Sequence, residues 1–326
     1  MSTTNIRAKK QSVSDIKVFN ELIKLMKPRV MSLVIFTCAV GLLSSPIVLS
    51  VKDAMIGILF VAMGAGAAGT LNMWYEADLD KLMSRTCLRP IPRGKVNKDQ
   101  ALIFGLLLSI ISVVSLYYFS NFLSAFLLFF TIFFYVIVYT IWLKRKTSQN
   151  IVIGGASGAL PPVIGWTIAT NSLSMEPLTL FLIIFIWTPS HFWALSLYKA
   201  NDYKRAKIPM LPITDGIQNT KKNILIYSLL MIPTILIPYY IGFAGLTFLI
   251  PSLALTLYYN YICFNLYSFK KNKFDTNIAK HIFSYSIIYL FLIFLMLLLI
   301  LQDRFLYQMV LYQIQSSFFL LFFRYF

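Results

Sequence analysis

Acidic residues are scarce in this chain. Twelve aspartates and glutamates stand against 29 lysines and arginines in 326 residues, and charged side chains make up only 13%. With 58% apolar residues, that composition excludes a soluble domain and reads as an integral membrane protein. Cysteine is nearly absent too. Cys38, Cys87 and Cys263 have no C-x-x-C spacing and two of them fall inside apolar runs, which excludes a disulfide framework and a zinc site. The first thirty residues lack an apolar stretch leading to a small-residue cleavage site, so they do not read as a removed signal peptide. A mitochondrial presequence is acid-poor and arginine-rich, whereas this segment has Asp15, Glu21 and only two arginines, Arg7 and Arg29. A bacterial inner membrane is therefore favoured, with the mitochondrial inner membrane as the alternative.

What the chain has in abundance is long charge-free sequence. Seven such runs, 30–51, 54–75, 100–143, 147–175, 177–198, 223–269 and 282–302, are each long enough to span a bilayer. Ser120–Asn121 divides the third, and Gly242 and Gly245 divide the sixth, so both read as helical hairpins. Nine transmembrane helices result. They occupy a domain over 30–302, preceded by an N-terminal segment 1–29 and followed by a tail 303–326 to which the sequence assigns no role. Taken alternately, the loops place 26 of the 29 basic residues on one side, leaving Lys52, Arg304 and Arg324 for the other. That bias puts the N-terminus and the basic loops in the cytoplasm. It also accounts for the net charge of +17 without nucleic acid, with attraction to anionic membrane lipid as a by-product.

The acids are few but not scattered. Asn72, Glu76 and Asp80 stand at i, i+4 and i+8, about 40° apart per step on a helix, so they share one side while Asp78 points elsewhere. A second, similar stretch lies four spans later: an apolar helix runs into Asp202, then basic residues, then Pro209 and Pro212, echoing Pro90 and Pro92 of the first. The echo suggests two similar four-helix halves, spans 1–4 and 5–8, with a ninth helix added and the two polar sites facing each other. His191, Tyr198 and Asp202 share a face, with His191 roughly 16 Å deeper along the helix. Glu76, Asp80 and Asp202, with Asn72 as a neutral fourth, are hard oxygen donors that suit Mg²⁺. Arg85, Arg89, Lys199, Lys204 and Arg205 supply positive charge for phosphate oxygens. Together they point to a diphosphate site at the basic face.

Plainer readings stand beside these. Acids in a basic loop also serve as solvated salt-bridge partners. Arg85, Arg89 and Lys95 read equally as anchors that fix orientation, and a histidine in a helix is commonly a satisfied packing residue. His281, beside Lys280, reads as an interface residue. The stretch from Gly154 to Trp166 lacks the spacing of a phosphate loop; its small residues suit close helix packing or a local break. A secondary transporter also has repeated halves, but its acids belong near the bilayer centre rather than at one face.

The sequence N-x-x-x-E-x-x-x-D at Asn72, Glu76 and Asp80, followed by MSRTCLRP, resembles the UbiA-type intramembrane prenyltransferases. Three further blocks resemble the haem-farnesylating branch of that family: YTIWLKRKTSQNIVIGGASGALPPVIGW, PSHFWALSLYKANDY and KIPMLPIT. The resemblance covers about residues 25–300. It implies an all-α bundle of nine transmembrane helices around a lipid-accessible chamber, with Mg²⁺ as cofactor and farnesyl diphosphate and haem B as substrates. The implied reaction moves the farnesyl group to a haem vinyl, giving haem O for terminal oxidases. Association with other haem-biosynthesis or oxidase-assembly proteins is a further implication.

On this reading Asn72, Glu76, Asp80, Tyr198 and Asp202 are catalytic and Glu76, Asp80 and Asp202 hold metal, while the depth of His191, beyond reach of that metal, makes it the expected haem-binding residue. Two positions depart from the pattern. Ala206 stands where the wider family has a second acid, and Lys207 stands where the haem branch often has glycine. A prenyltransferase acting on an aromatic quinone precursor is the nearer rival reading.

Overall fold

A computed structural model describes residue 18 and residues 20–322, with side chains described for 18, 20–28 and 30–299. Among the described residues all regular structure is helical. Helix α1 is Pro28–Leu43 and α2 is Val51–Tyr75, followed by the single turn α3, Ala77–Asp80. Next come α4, Lys98–Phe119, and α5, Phe122–Leu143, whose last ten residues, Phe134–Leu143, are wound as a π-helix. Helices α6, Asn150–Ala159, and α7, Pro161–Thr170, form one span in two pieces. Helix α8 is Met175–Tyr198, with the short turns α9, Ala200–Arg205, and α10, Leu211–Thr214, after it. Helices α11, Gly216–Tyr240, α12, Leu246–Ser268, and α13, Thr276–Phe322, complete the bundle. Eight of these segments are long and apolar enough to cross a membrane.

The expected first span is the exception. Apolar sequence continues to Val51, but α1 stops after 16 residues, about 24 Å at 1.5 Å per residue, short of a bilayer core of about 30 Å. Ser44, Ser45 and Pro46 break it, and Ser50 caps the next helix by accepting from the Asp53 amide at 3.1 Å. Val51 therefore opens α2. The ninth helix departs in the other direction. It begins at Thr276, before the apolar run, and its backbone continues unbroken through the expected tail to Phe322. Residues 323–326 of that tail and 1–17 and 19 of the N-terminal segment lie outside the described residues.

Both hairpins form where expected. Asn121 caps α5 through the Ser124 amide at 2.9 Å, and its side-chain NH₂ reaches the Thr167 carbonyl of α7 at 2.8 Å. Gly242 takes φ 73° at the turn after α11. The Gly154–Trp166 stretch supplies both a break and close packing. Pro161 and Pro162 restart the helix at α7, and at Gly165 a Cβ would stand 2.0 Å from the Cys38 carbonyl oxygen of α1.

Helix α8 lies at the centre, packed by α6, α11 and α13. Apolar contact between helices gives little net drive in lipid, so interhelical hydrogen bonds, roughly 0.6 kcal/mol each, help fix the register. Trp187 donates to the Ser286 carbonyl at 2.8 Å, Ser190 pairs with Tyr259 at 2.8 Å, and Ser228 donates to Asn260 at 3.0 Å. Buried Lys221 donates to the carbonyls of Phe269 at 2.8 Å and Lys273 at 3.1 Å, sealing the turn between α12 and α13.

Candidate active site

Helix α2 ends at Tyr75, and Glu76 is a joint with φ −89° and ψ 9°. The helical spacing nevertheless survives it. The Glu76 amide donates to Asn72 O at 3.0 Å and the Asp80 amide to Glu76 O at 2.8 Å. Asn72, Glu76 and Asp80 thus stay on one side, and all three are buried, at 2%, 3% and 2% exposure. Burying two carboxylates demands paired cations. Lys144, at the end of α5, sits 2.5 Å from Glu76 Oε1. Arg89 Nη1 lies 2.8 Å from both Asp80 oxygens, and Thr86 Oγ1 ties the same loop to Asp80 O at 3.1 Å.

Asp78 points away, as its spacing requires. It binds Arg145 at 3.0 and 3.2 Å, and the Arg145 guanidinium lies over the Tyr75 ring at 4.9 Å. Partial burial opposes the charged form of Asp78, but the Arg145 bonds outweigh it and hold the carboxyl below its ordinary value.

Asn72 is gripped from both ends. Lys27, at φ 55° just before α1, donates to Asn72 Oδ1 at 2.7 Å, while Asn72 Nδ2 donates to Thr140 Oγ1 at 3.1 Å. Enclosure pushes the Lys27 ammonium down to about 7, and the nearby Arg89 charge adds to that.

The second polar segment meets the first directly. Ser84 donates to Asp202 Oδ2 at 2.6 Å across 118 residues, and Arg205 stands 3.4 Å from Oδ1. The Ser84 hydroxyl holds the Asp202 carboxyl below its ordinary value. The face shared by His191, Tyr198 and Asp202 needs correcting. Helix α8 ends at Tyr198 and the Asp202 amide turns tightly onto Lys199 O at 3.0 Å, so Asp202 leaves the line of the helix and reaches the first loop instead. The 16 Å depth, drawn along one straight helix, does not apply. His191 and Tyr198 do share a face, both packing on Phe283 of α13 at ring distances of 4.6 and 6.1 Å.

His191 is held rigidly. Trp187 stacks at 4.3 Å and Phe283 at 4.6 Å, and Nδ1 lies 2.6 Å from Ser286 Oγ. The Ser286 hydroxyl proton already goes to the Phe283 carbonyl at 2.7 Å. With that proton on the Phe283 carbonyl, Ser286 accepts from Nδ1–H, the tautomer that leaves Nε2 facing away from Ser286.

Other expected residues are less engaged. Arg85, Lys204 and Arg205 are exposed, the last two lining an open cleft with Asn201. Arg85, Lys199 and Lys204 make no ion pair among the described residues. Nor do three His, Cys, Asp or Glu side chains come together there as a metal-holding group. The carboxylates are held by cations and a hydroxyl, and Asp202 reaches the first loop through Ser84. Ala206 is 4% exposed in an apolar cluster with Leu79, Met83 and Trp193, which leaves no place for a second acid. Lys207 takes φ 52°, the left-handed region that glycine occupies without strain.

Five participants escaped sequence reasoning. Ser84 lies inside MSRTCLRP, and Thr140 and Lys144 inside the block that begins YTIWLK, but nothing in those patterns points to their contacts; Lys27 reads only as a basic-side charge, and Ser286 stands outside every quoted block.

This chain belongs to the UbiA prenyltransferase family, whose profile matches residues 33–287. Among individual relatives, it is 71% identical over 297 residues to protoheme IX farnesyltransferase of Pelagibacter ubique (strain HTCC1062), covering 90% of this chain and 98% of that one. It is 50% identical over 278 residues to the protoheme IX farnesyltransferase of Afipia carboxidovorans, covering 85% and 89%. Among solved structures it is similar to a digeranylgeranylglyceryl phosphate synthase, with TM-score 0.72 and 16% identity over 87% of this chain and 98% of that one. A UbiA homologue from Archaeoglobus fulgidus bound to GPP and Mg²⁺ has TM-score 0.61 and 16% identity, covering 85% and 99%. At those identities the structural likeness speaks to the fold, which is that of the intramembrane prenyltransferases.

Proposed function

We propose that this protein transfers the farnesyl group of farnesyl diphosphate to a vinyl group of protohaem IX, giving haem O and diphosphate. The observation that carries this reading is the 71% identity to a protoheme IX farnesyltransferase over nearly its whole length. The geometry supports it. Buried carboxylates and their cations gather near the ends of α2, α5 and α8, and a histidine held by Ser286 and two aromatic rings sits within the bundle.

The donor set fits Mg²⁺. Asn72, Glu76, Asp80 and Asp202 offer only hard oxygens, and their present partners are cations that a diphosphate also attracts. Glu76, Asp80 and Asp202 would hold the ion, with Asn72 beside them. Bound there, Mg²⁺ supplies charge stabilisation for the departing diphosphate.

Lys27, Arg89 and Lys144 neutralise diphosphate oxygens, joined by Arg85, Lys199, Lys204 and Arg205 from the flanking turns. As the bond between farnesyl C1 and oxygen breaks, its electron pair leaves with the diphosphate. The haem vinyl π-electrons then form the new carbon–carbon bond. One water adds to the resulting cation and loses a proton, which supplies the hydroxyl of haem O. His191 would bind the haem, by ligating its iron or hydrogen-bonding its edge, and hold the vinyl group toward the farnesyl carbon, with Tyr198 beside it against Phe283. The protein mainly positions and neutralises.

In this reading the basic end faces the cytoplasm of a bacterial inner membrane. The test is incubation of the purified protein with haem B, farnesyl diphosphate and Mg²⁺. Haem O formation supports the assignment, and prenylation of an aromatic-ring substrate in preference to haem overturns it.

A further inference from the structure

The last ten residues of α5 are a π-helix, so the Lys144 amide bonds the carbonyl five residues back, Tyr139 O, at 2.9 Å. The fully buried Thr140 hydroxyl follows the same spacing and donates to Tyr135 O at 2.8 Å. Its single proton is thereby committed, and toward Asn72 it can only accept. Asn72 must then present its NH₂ to Thr140, which turns its oxygen the other way. There Lys27 donates to that oxygen at 2.7 Å. Two independent neighbours, an acceptor at one end and a donor at the other, agree on one orientation of the carboxamide. Four residues further along, Lys144, which caps the π-helix, makes the adjacent contact to Glu76 at 2.5 Å. The irregular winding therefore delivers two side chains, one turn apart, onto two motif residues one turn apart.

We propose that Thr140 is a positioning residue, whose hydroxyl orients the Asn72 carboxamide so that its oxygen faces the cation-binding side of the site. This deepens the metal–diphosphate reading above and rests on it. Without the hydroxyl, the Asn72 NH₂ loses its buried acceptor. A flipped amide gives up the Lys27 donation to its oxygen. The orientation then rests on the Lys27 contact alone.

The orienting role and a mere packing role make opposite demands on substitution. Thr140→Val keeps the shape and loses the hydroxyl, whereas Thr140→Ser keeps the hydroxyl and loses the methyl. The measurement is equilibrium Mn²⁺ binding to purified protein, followed by the EPR signal of the free aqua ion, with farnesyl diphosphate present and haem B omitted. Thr140→Ser is expected within about twofold of wild type and Thr140→Val weakened about tenfold, the cost of a buried donor left without its acceptor. Should Thr140→Val fail to fold, Thr140→Ala compared with Thr140→Ser gives the same contrast. Unchanged Mn²⁺ binding in the valine variant, or an equal loss in the serine variant, overturns the orienting role. A wild type that binds no Mn²⁺ overturns the metal reading itself, and Thr140's role falls with it.

Discussion

The segment after α2 and the segment after α8 repeat one plan, an apolar helix running into an aspartate, bases and paired prolines, yet they hold charge differently. In the first, two buried carboxylates each have a cation within 3 Å, and the carboxamide of Asn72 is locked between Lys27 and Thr140. In the second a single acid, Asp202, is held chiefly by a serine hydroxyl, and the position one turn on is the buried Ala206. What the second segment adds instead lies earlier in its helix, at His191. The difference teaches a division of labour. The first segment gathers charge, whereas the second contributes one acid and, in the reading proposed above, a histidine for the haem.

The harshest way to break that division is to force symmetry on it. Ala206→Asp puts a carboxylate into the cluster with Leu79, Met83 and Trp193, and unpaired burial of that charge costs several kcal/mol. Folded, monodisperse protein should be largely lost in size-exclusion chromatography. If Ala206→Asp folds and turns over faster, the two halves are equivalent after all.

Next in size, Glu76→Gln and Asp80→Asn should each lower haem O formation at least about 100-fold, the scale of losing an electrostatic group from the reacting centre. Asp202→Asn should do the same if the two halves share one ion. Near-normal turnover in any two of the three returns these acids to structural ion pairs.

A smaller, more selective effect is expected on the haem side. Ser286→Ala removes the acceptor that fixes the His191 tautomer, and such supporting contacts are worth about tenfold in ligand affinity. Haem B titration followed by the Soret band should show that loss, with farnesyl diphosphate binding unchanged. The reverse pattern would move His191 to the diphosphate.

Ser84→Ala sharpens the link between the segments through pH. The Asp202 carboxyl is depressed in the folded protein, so the contribution of Ser84 to stability is present above the ordinary carboxylate pKa of about 3.9 and is lost as pH falls through the lowered value. Melting temperatures of the variant and wild type in detergent should differ at pH 7 and converge in acid. A gap that persists in acid would assign Ser84 a packing role.

The smallest effect is at Lys207. Relieving its φ of 52° by Lys207→Gly should be neutral to stabilising by about 1 kcal/mol, read as a slight rise in melting temperature.

Sequence patterns revealed what depends on period and punctuation. The two hairpins, the two-piece span before Pro161 and the common side of Asn72, Glu76 and Asp80 all follow from spacing, charge and turn residues. The short first helix was hidden because Val51 is apolar yet belongs to α2, beyond the break at Pro46. Asp202 was placed by extending a helix that in fact ends at Tyr198. Lys27 and Lys144 look like any basic residues at a span's edge, and only the fold brings them to Asn72 and Glu76. Thr140 and Ser286 are single hydroxyls inside apolar runs, where periodicity says nothing about a partner 68 or 95 residues away. The π-helix has no sequence period that distinguishes it from its α-helical start.

The most direct measurement is mass spectrometry of the haem extracted after purified protein is incubated with haem B and farnesyl diphosphate, with and without Mg²⁺. The expected result is a haem that has gained one farnesyl group and one hydroxyl, formed only with the metal. Unaltered haem B, from folded protein that instead transfers the farnesyl group to an aromatic-ring substrate, would contradict the assignment.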